Sequence, residues 1–182
     1  MIEVYLNTKR ASTPKFGGEG RGRSMKSAKI GKASPRYGVE INNTTQSSID
    51  ENFLRRISRH VLKGEQVESY GLSIALVNPN NMRELNRQYR GKDKVANVLS
   101  FPFDKTQGKP NSELGLGEVV LCPQEVRKDA KKYGMLFTDT LVWMLVHGIL
   151  HLLRYNHEKD RDEEKMIQKE QYYLNKVKSS NK

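Results

Sequence analysis

The segment LVWMLVHGILHLL, residues 141–153, constrains the fold more than any other part of the chain. Apolar residues would cover nearly every face of a helix formed here, so the helix must be enclosed by other elements. The segment is shorter than the roughly 18 apolar residues that a membrane-spanning helix needs, and two histidines interrupt it. We therefore predict a soluble protein with a central buried helix that begins after an N-cap at Thr138.

Hydrophobic periodicity, together with proline and glycine at element ends, predicts the remaining elements. Apolar alternation and short apolar runs indicate strands at residues 39–41, 71–78, 97–103 and 116–122, and helical spacing indicates helices at residues 47–64, 79–91, 123–134 and 163–178. The first helix has Ser47 or Ser48 as its predicted N-cap, and residues 104–113 form a polar loop. This order predicts an α/β domain in which a small mixed sheet of about four strands packs with several helices.

The positive charge of the chain is concentrated at its start. Residues 1–37 hold nine Lys and Arg against two Glu, in a chain whose net charge is +11. They show no helical or strand periodicity, so we predict a basic, disordered N-terminal extension followed by one folded domain at residues 38–178. The extension could lie on phosphates, be a solvated segment without a specific role, or be an organelle transit peptide.

Composition also indicates the class of partner and the compartment. A net charge of +11 favours polyanions, of which nucleic acid is the commonest and an anionic membrane surface the lesser alternative. The single cysteine, Cys122, excludes an intramolecular disulfide and lies in the apolar run GEVVLCPQEV. We predict a buried structural thiol there and a reducing, cytoplasmic location.

Three of the four histidines lie between residues 147 and 157. On the central helix, His147 and His151 are four residues apart and project from one face, and the turn after the helix can return His157 as a third ligand. This spacing forms a zinc half-site, and three protein ligands with an open position are typical of a catalytic zinc ion. The alternative is three ordinary histidines, which would leave two imidazoles buried without partners at a cost.

The same histidine spacing occurs in zinc proteases with the motif HExxHxxGxxH. The residue after the first histidine of those enzymes is a glutamate that serves as the general base, whereas here it is Gly148. Glycine inside a helix costs about 1 kcal/mol relative to alanine, which indicates that close packing or access is needed at this position. The protease hypothesis therefore lacks its main catalytic group.

Two segments resemble a known family. HGILHLLRYNH, residues 147–157, resembles the HGxLHLxGYDH motif of the YbeY family, bacterial single-strand-specific metallo-endoribonucleases of ribosomal RNA maturation. LNRQYRGKDKVANVLSFPF, residues 85–103, resembles the second motif of that family, and the likeness extends over residues 38–175. The basic extension lies outside the resemblance.

The resemblance implies roles for particular residues. The three histidines would be the ligands of one zinc ion, two of them on the central helix, and an arginine of the YRGKDK motif would contribute to activity. Physically, a guanidinium near a metal can hold a phosphate with two hydrogen bonds, and neighbouring lysines can extend the positive surface that meets RNA. The residues are His147, His151 and His157 for zinc, Arg90 for catalysis, and Lys92 and Lys94 for RNA binding.

The chain departs from the family pattern at several positions. Arg154 replaces a glycine, so it should either strain the turn by about 1 kcal/mol or shift it. Asn156 replaces an aspartate that could orient an imidazole, and it can form a hydrogen bond but carries no negative charge. Val95 and Ala96 replace a Pro-Thr pair. These departures would affect the metal affinity and the rate of catalysis. They leave the three histidine ligands in place.

The resulting hypothesis is a zinc-dependent endoribonuclease that cuts single-stranded ribosomal RNA in ribosome maturation or quality control. Its expected partners are single-stranded RNA and the ribosome or its small subunit, with no membrane. Zinc-activated water would attack the phosphodiester, although no general base is evident and the 2′-hydroxyl of the RNA is an alternative nucleophile. The rival hypotheses are a zinc protease or other zinc hydrolase, and a noncatalytic ribosome-assembly factor with a structural zinc ion.

Overall fold

The computed structural model describes residues 38–103, 115–157 and 160–180. In chain order the elements are β1 (Val39–Asn43), α1 (Glu51–Gly64), β2 (Leu72–Leu76), α2 (Pro79–Arg90), β3 (Val98–Pro102), β4 (Gly117–Leu121), α3 (Pro123–Tyr133), α4 (Phe137–Leu152) and α5 (Asp160–Ser180). Their types and order confirm the predicted α/β architecture. The predicted disordered extension and the predicted polar loop at residues 104–113 lie outside the described residues.

The four strands form one mixed sheet in the order β1-β2-β4-β3. β1, β2 and β4 are parallel, and β3 is antiparallel to β4. In the register of the sheet, Ile74 pairs with Val119, which in turn pairs with Ser100. Paired residues on neighbouring strands point to the same face, so these three side chains face the same layer of helices.

Helix α4 is the central element on that face of the sheet. Twelve of its sixteen residues are buried, and it contacts β3, β4, α1, α3 and α5. The main core joins Leu54 of α1, Ile74 of β2, Leu145 of α4 and Tyr173 of α5. Each such side chain contributes about 1.5–3 kcal/mol when fully buried. The prediction of a buried central helix is confirmed.

Helix α2 packs on the opposite face of the sheet. The smaller apolar cluster there consists of Ala75, Val77, Met82, Leu85, Leu99, Val120 and Cys122. Burial raises the pKa of the Cys122 thiol, which is fully buried, so it is the structural thiol that its apolar run predicts. The sheet is therefore enclosed between α2 on one side and the layer built around α4 on the other.

The predicted N-cap of α1 is wrong. The helix is capped by Asp50, whose Oδ1 accepts a hydrogen bond from the backbone N–H of Phe53 at 3.0 Å. Ser47 lies in the preceding turn, where its backbone N–H bonds to Thr45 Oγ1. Aspartate caps a helix as well as serine does, and its negative charge interacts favourably with the helix N-terminus.

The predicted N-cap of α4 is also wrong. The helix begins at Phe137, so Thr138 lies inside its first turn, and the N-cap residue Leu136 forms no side-chain cap bond. The guanidinium of Arg127 lies 4.0 Å from the centroid of the Phe137 ring and joins the start of α4 to α3. The start of α4 is therefore marked by its packing against α3 and not by a capping side chain.

No single helix in the described ranges is long and apolar enough to cross a membrane. α3 and α4 taken together meet such a test by length and composition, but they are bent by 115° at the break between them. Most of α4 is buried inside the protein, as expected of a core helix.

Candidate metal centre

The three histidines predicted as ligands lie together at the C-terminal end of α4. His147 and His151 project from one face of the helix, and their Nε2 atoms are 3.1 Å apart. His157 returns from the following turn, and the ligand atoms of all three residues lie within 4.8 Å of one another. Two nitrogens bound tetrahedrally to one ion at about 2.0–2.1 Å lie roughly 3.3 Å apart. The cluster is thus close to the spacing that one metal ion requires.

His147 is oriented by a carboxylate from the last helix. Glu170 Oε1 lies 2.6 Å from His147 Nδ1, and Glu170 Oε2 accepts a hydrogen bond from Trp143 Nε1 at 2.8 Å. An ionised carboxylate can only accept, so the tautomer of a neutral imidazole that fits this contact has its proton on Nδ1 and its lone pair on Nε2. A carboxylate behind an imidazole is the arrangement that orients histidine ligands in metal sites.

His151 is held as a neutral imidazole. Burial, then the nearby His147 and His157 rings and the charge of Arg90, lower its pKa to about 3, against a hydrogen bond to the Tyr155 backbone that raises it. Since the Nε2 of His151 faces His147, the bond to Tyr155 is assigned to the other ring nitrogen. Two facing Nε2 lone pairs repel each other, and a cation between them would remove that repulsion.

The turn after α4, residues 153–157, is called the ligand turn below. Its backbone forms a Schellman motif, in which Tyr155 N–H donates to Leu150 O and Arg154 N–H donates to His151 O, both at 3.0 Å. Arg154 has φ +70°, the left-handed conformation that the family's glycine suits. The chain therefore keeps the turn in place and accepts strain of about 1 kcal/mol, the first of the two predicted outcomes.

His157 follows this turn with its ring stacked against His147, at 20° between the ring planes. Its Nε2 is buried and has no hydrogen-bond partner among the described residues. A buried nitrogen of this kind costs about 1–3 kcal/mol, and binding a metal ion would remove the cost. The three imidazoles are therefore close enough together, and buried enough, to bind one metal ion through a nitrogen atom of each ring.

Gly148 lies against the sheet, on the side of α4 that packs on β3 and β4. A Cβ atom added there would come within 2.7 Å of Val119 Cγ1 and 3.2 Å of Ser100 Oγ. The Ser100 hydroxyl donates to the carbonyl oxygen of Gly148 at 2.9 Å. The glycine is therefore required by close packing, one of the two reasons that its position in the sequence suggests.

Arg90 is the last residue of α2, half buried, with its Nε atom buried. Its charge contributes to the lowered pKa of His151, which indicates that it lies near the ligands. Lys92 is half buried and Lys94 is exposed, and their backbone is held by Asn86, whose Nδ2 donates to Lys94 O at 2.8 Å. The catalytic role of Arg90 and the RNA-binding roles of the lysines stay predictions.

Glu170 is the site residue that the sequence prediction missed. The prediction considered position 156 as the place of an orienting side chain, whereas the carboxylate that contacts His147 comes from α5. A signal was present, because Glu170 shares the buried face of α5 with Met166, Tyr173 and Val177 at spacings of four, three and seven residues. A carboxylate on an apolar helix face needs a buried partner.

We expect Glu170→Ala to weaken binding of a divalent metal by about 10- to 100-fold, because His147 loses the acceptor that orients its ring. Affinity would be measured on the folded protein by competition with a chelator, using Zn²⁺ as the probe. Trp143→Phe is the matched control, since it removes only the second hydrogen bond of Glu170 and should leave affinity within about threefold. Equal affinities of wild type and Glu170→Ala would contradict the assigned role of this carboxylate.

The chain is similar to proteins of one known family. A family model described as Endoribonuclease YbeY matches residues 40–178. Similar proteins named Endoribonuclease YbeY include one from Persephonella marina, 35% identical over 66% of this chain and 78% of its own length, and one from Desulforamulus reducens, 32% identical over 76% and 96%. The solution structure of TM1509 from Thermotoga maritima is 27% identical, with a TM-score of 0.59, over 78% of this chain and 90% of that one. The chain therefore belongs to the YbeY endoribonuclease family.

Proposed function

We propose that the protein is a zinc-dependent endoribonuclease that cuts single-stranded ribosomal RNA during ribosome maturation and quality control. The observation that carries the proposal is the convergence of three imidazole nitrogens within 4.8 Å at the end of α4. Membership of an endoribonuclease family supports RNA as the substrate class. The net charge of +11 supports a polyanionic partner of this kind.

The donor set supports zinc as the metal. Imidazole suits several transition metals, but three histidines without a protein carboxylate or thiolate are a common ligand set of catalytic zinc ions. His147, His151 and His157 would hold the ion, with Glu170 fixing the His147 ring. A zinc ion there would supply Lewis-acid chemistry, which activates water near neutral pH and withdraws charge from a phosphate oxygen.

Within this proposal, Arg90 binds the scissile phosphate. Its position near His151 places a permanent positive charge beside the ligands. A guanidinium can donate two parallel hydrogen bonds to phosphate oxygens and stabilise the charge that builds on them as the bond to the leaving group breaks. Lys92 and Lys94, in the loop that follows α2, extend the same charge toward the flanking phosphates of the strand.

The specific substrate and the compartment are part of the proposal. Resemblance to the YbeY motifs supports ribosomal RNA and contact with the ribosome or its small subunit. The single buried cysteine supports a reducing, cytoplasmic location.

The test is cleavage of an unstructured, end-labelled RNA by protein stripped of metal with a chelator and then reloaded with zinc. We expect internal cuts that require the reloaded metal, that are lost in His151→Ala, and that are much weaker on a duplex of the same sequence. A fully zinc-loaded, folded protein that leaves this RNA intact would refute the proposal. The ends of the products identify the nucleophile, since attack by water leaves a 5′-phosphate whereas attack by the 2′-hydroxyl leaves a cyclic phosphate.

A zinc protease is the less favoured alternative. Gly148 offers no general base, and a side chain added there would point at Val119 and Ser100 of the sheet. A noncatalytic assembly factor with a structural zinc ion would bind the metal and leave RNA uncut, which the same experiment detects.

A further inference from the structure

Away from the metal ligands, Glu65 receives hydrogen bonds from three different side chains. Oε2 accepts from Tyr155 at 2.8 Å, and Oε1 accepts from Tyr173 at 2.5 Å and from Lys169 at 2.8 Å. The Glu65 side chain is 9% exposed. Burial works against its ionisation, but the hydrogen bonds from Lys169, Tyr173 and Tyr155 together hold the pKa of Glu65 below its usual value. The group is thus a buried, ionised acceptor.

The geometry at the end of α1 is arranged around this carboxylate. Glu65 is the C-cap residue, and Gln66 after it has φ +58°, so α1 ends in a turn of the same kind as the one that ends α4. Gly64 leaves room for the Tyr173 ring, because a Cβ atom added there would lie 2.9 Å from Tyr173 Cε1. The ends of α1 and α4 are therefore joined at Glu65 through Tyr155, and Lys169 and Tyr173 of α5 bond to the same carboxylate.

Each donor to Glu65 belongs to a segment that positions a metal ligand. Tyr155 lies in the ligand turn, and its backbone is hydrogen-bonded to the His151 ring. Lys169 precedes Glu170, the residue that contacts His147. Glu65 is therefore linked through Tyr155 to the backbone that bonds to His151. It is also linked through Lys169 to the neighbouring Glu170, whose carboxylate contacts His147.

We propose that Glu65 is a positioning residue for the metal site and holds the ligand turn and α5 at the separation that one metal ion requires. The proposal rests on metal binding, as does the proposed function. Glu65 is not one of the three candidate ligands, and it acts through Tyr155 on the ligand turn and through Lys169 and Tyr173 on α5.

The test separates metal affinity from stability of the fold. Glu65→Gln keeps the size of the side chain but replaces one acceptor by an amide NH₂ group, and Tyr155→Phe removes only the hydroxyl that joins the ligand turn to Glu65. Ile57→Val, on the buried face of α1, is the matched control. It lowers the free energy of unfolding by about 0.5–1.5 kcal/mol and changes no residue of the ligand turn. Zinc affinity would be measured by chelator competition, and unfolding of the metal-free protein by urea.

We expect Glu65→Gln and Tyr155→Phe each to lower zinc affinity by about tenfold, at the lower end of the range for groups that support metal ligands. Ile57→Val should bind zinc as the wild type does. If both site variants also bind as the wild type does, Glu65 only joins parts of the fold and the proposal is overturned. Tyr155→Phe decides the matter if Glu65→Gln does not fold. A wild-type protein that binds no zinc would overturn the proposed function and this proposal together, which is a different outcome from unchanged variants.

Discussion

Replacing Arg90 with alanine is expected to slow RNA cleavage by about 100- to 1,000-fold, the loss typical of removing one donor to a transition-state oxyanion. Zinc affinity should stay within about twofold of the wild type. The physical reason is that the charge of Arg90 lowers the pKa of His151 and disfavours a further positive charge there, so its removal does not weaken the imidazole as a ligand. Single-turnover cleavage of an unstructured RNA and chelator competition for zinc measure the two effects separately.

Arg87 provides the control for this experiment. It lies on the same helix, is exposed, and is paired with Glu84 at 2.7 Å. Arg87→Ala removes the same charge from α2 and should change the rate by less than about threefold. Arg90→Lys should recover part of the rate, because it keeps the charge and loses the two parallel hydrogen bonds. Equal losses in the two alanine variants would show that α2 contributes only general positive charge.

Replacing Gly148 with glutamate, which would complete the HExxH motif, is expected to destabilise the protein by more than about 5 kcal/mol and to produce no peptide hydrolysis. The new side chain would point at Val119 and Ser100 in the sheet. Overpacking costs about 1–3 kcal/mol, and a buried carboxylate without a partner adds several more. The sum is comparable with the whole stability of a domain, so urea unfolding and the yield of soluble protein are the measurements.

A smaller pair of variants tests the same packing without a charge. Gly148→Ala gains about 1 kcal/mol of helix propensity, but its methyl group would lie 2.7 Å from Val119 Cγ1, and we expect a net loss of about 1–2 kcal/mol. In a Val119→Ala background the space opens, so the added methyl group should cost at least about 1 kcal/mol less. If the Gly148→Ala variant unfolds at the same urea concentration as the wild type, the neighbouring strands shift enough to make room for the methyl group.

The parts of the structure that could be predicted are those determined by local sequence. The apolar segment at residues 141–153 predicted a buried helix, and the spacing of His147, His151 and His157 predicted a shared site, since the helical repeat and one following turn suffice to bring them together. The order of the strands was not predictable, because β2 pairs with β4 across more than forty residues of sequence. The two helix starts were mistaken for different reasons. Ser47, Ser48 and Asp50 all cap a helix well, so the sequence does not select among them. Helix α4 begins after Leu136, which forms no side-chain cap bond, at a point where Arg127 of α3 packs on the Phe137 ring.

The contacts that complete the site depend on tertiary structure. Glu170 meets His147 across 23 residues, and Glu65 meets Tyr155 across 90, so each pair forms only after α5 and α1 have packed against α4. No sequence motif gives the number of residues that separates either of these acidic residues from the histidines. A charged residue on an otherwise apolar helix face is the signal that remains, and it shows that a partner exists without identifying it.

The three ligands come from one short piece of chain, a single helix end and the turn that follows it. A metal ion bound there links residues only four and six positions apart, so it closes very small loops and removes little entropy from the unfolded chain. The core around Leu54, Leu145 and Tyr173 is apolar and complete without it. We therefore expect the fold to form without a metal ion, and an ion at this site to bind to and leave an already folded protein.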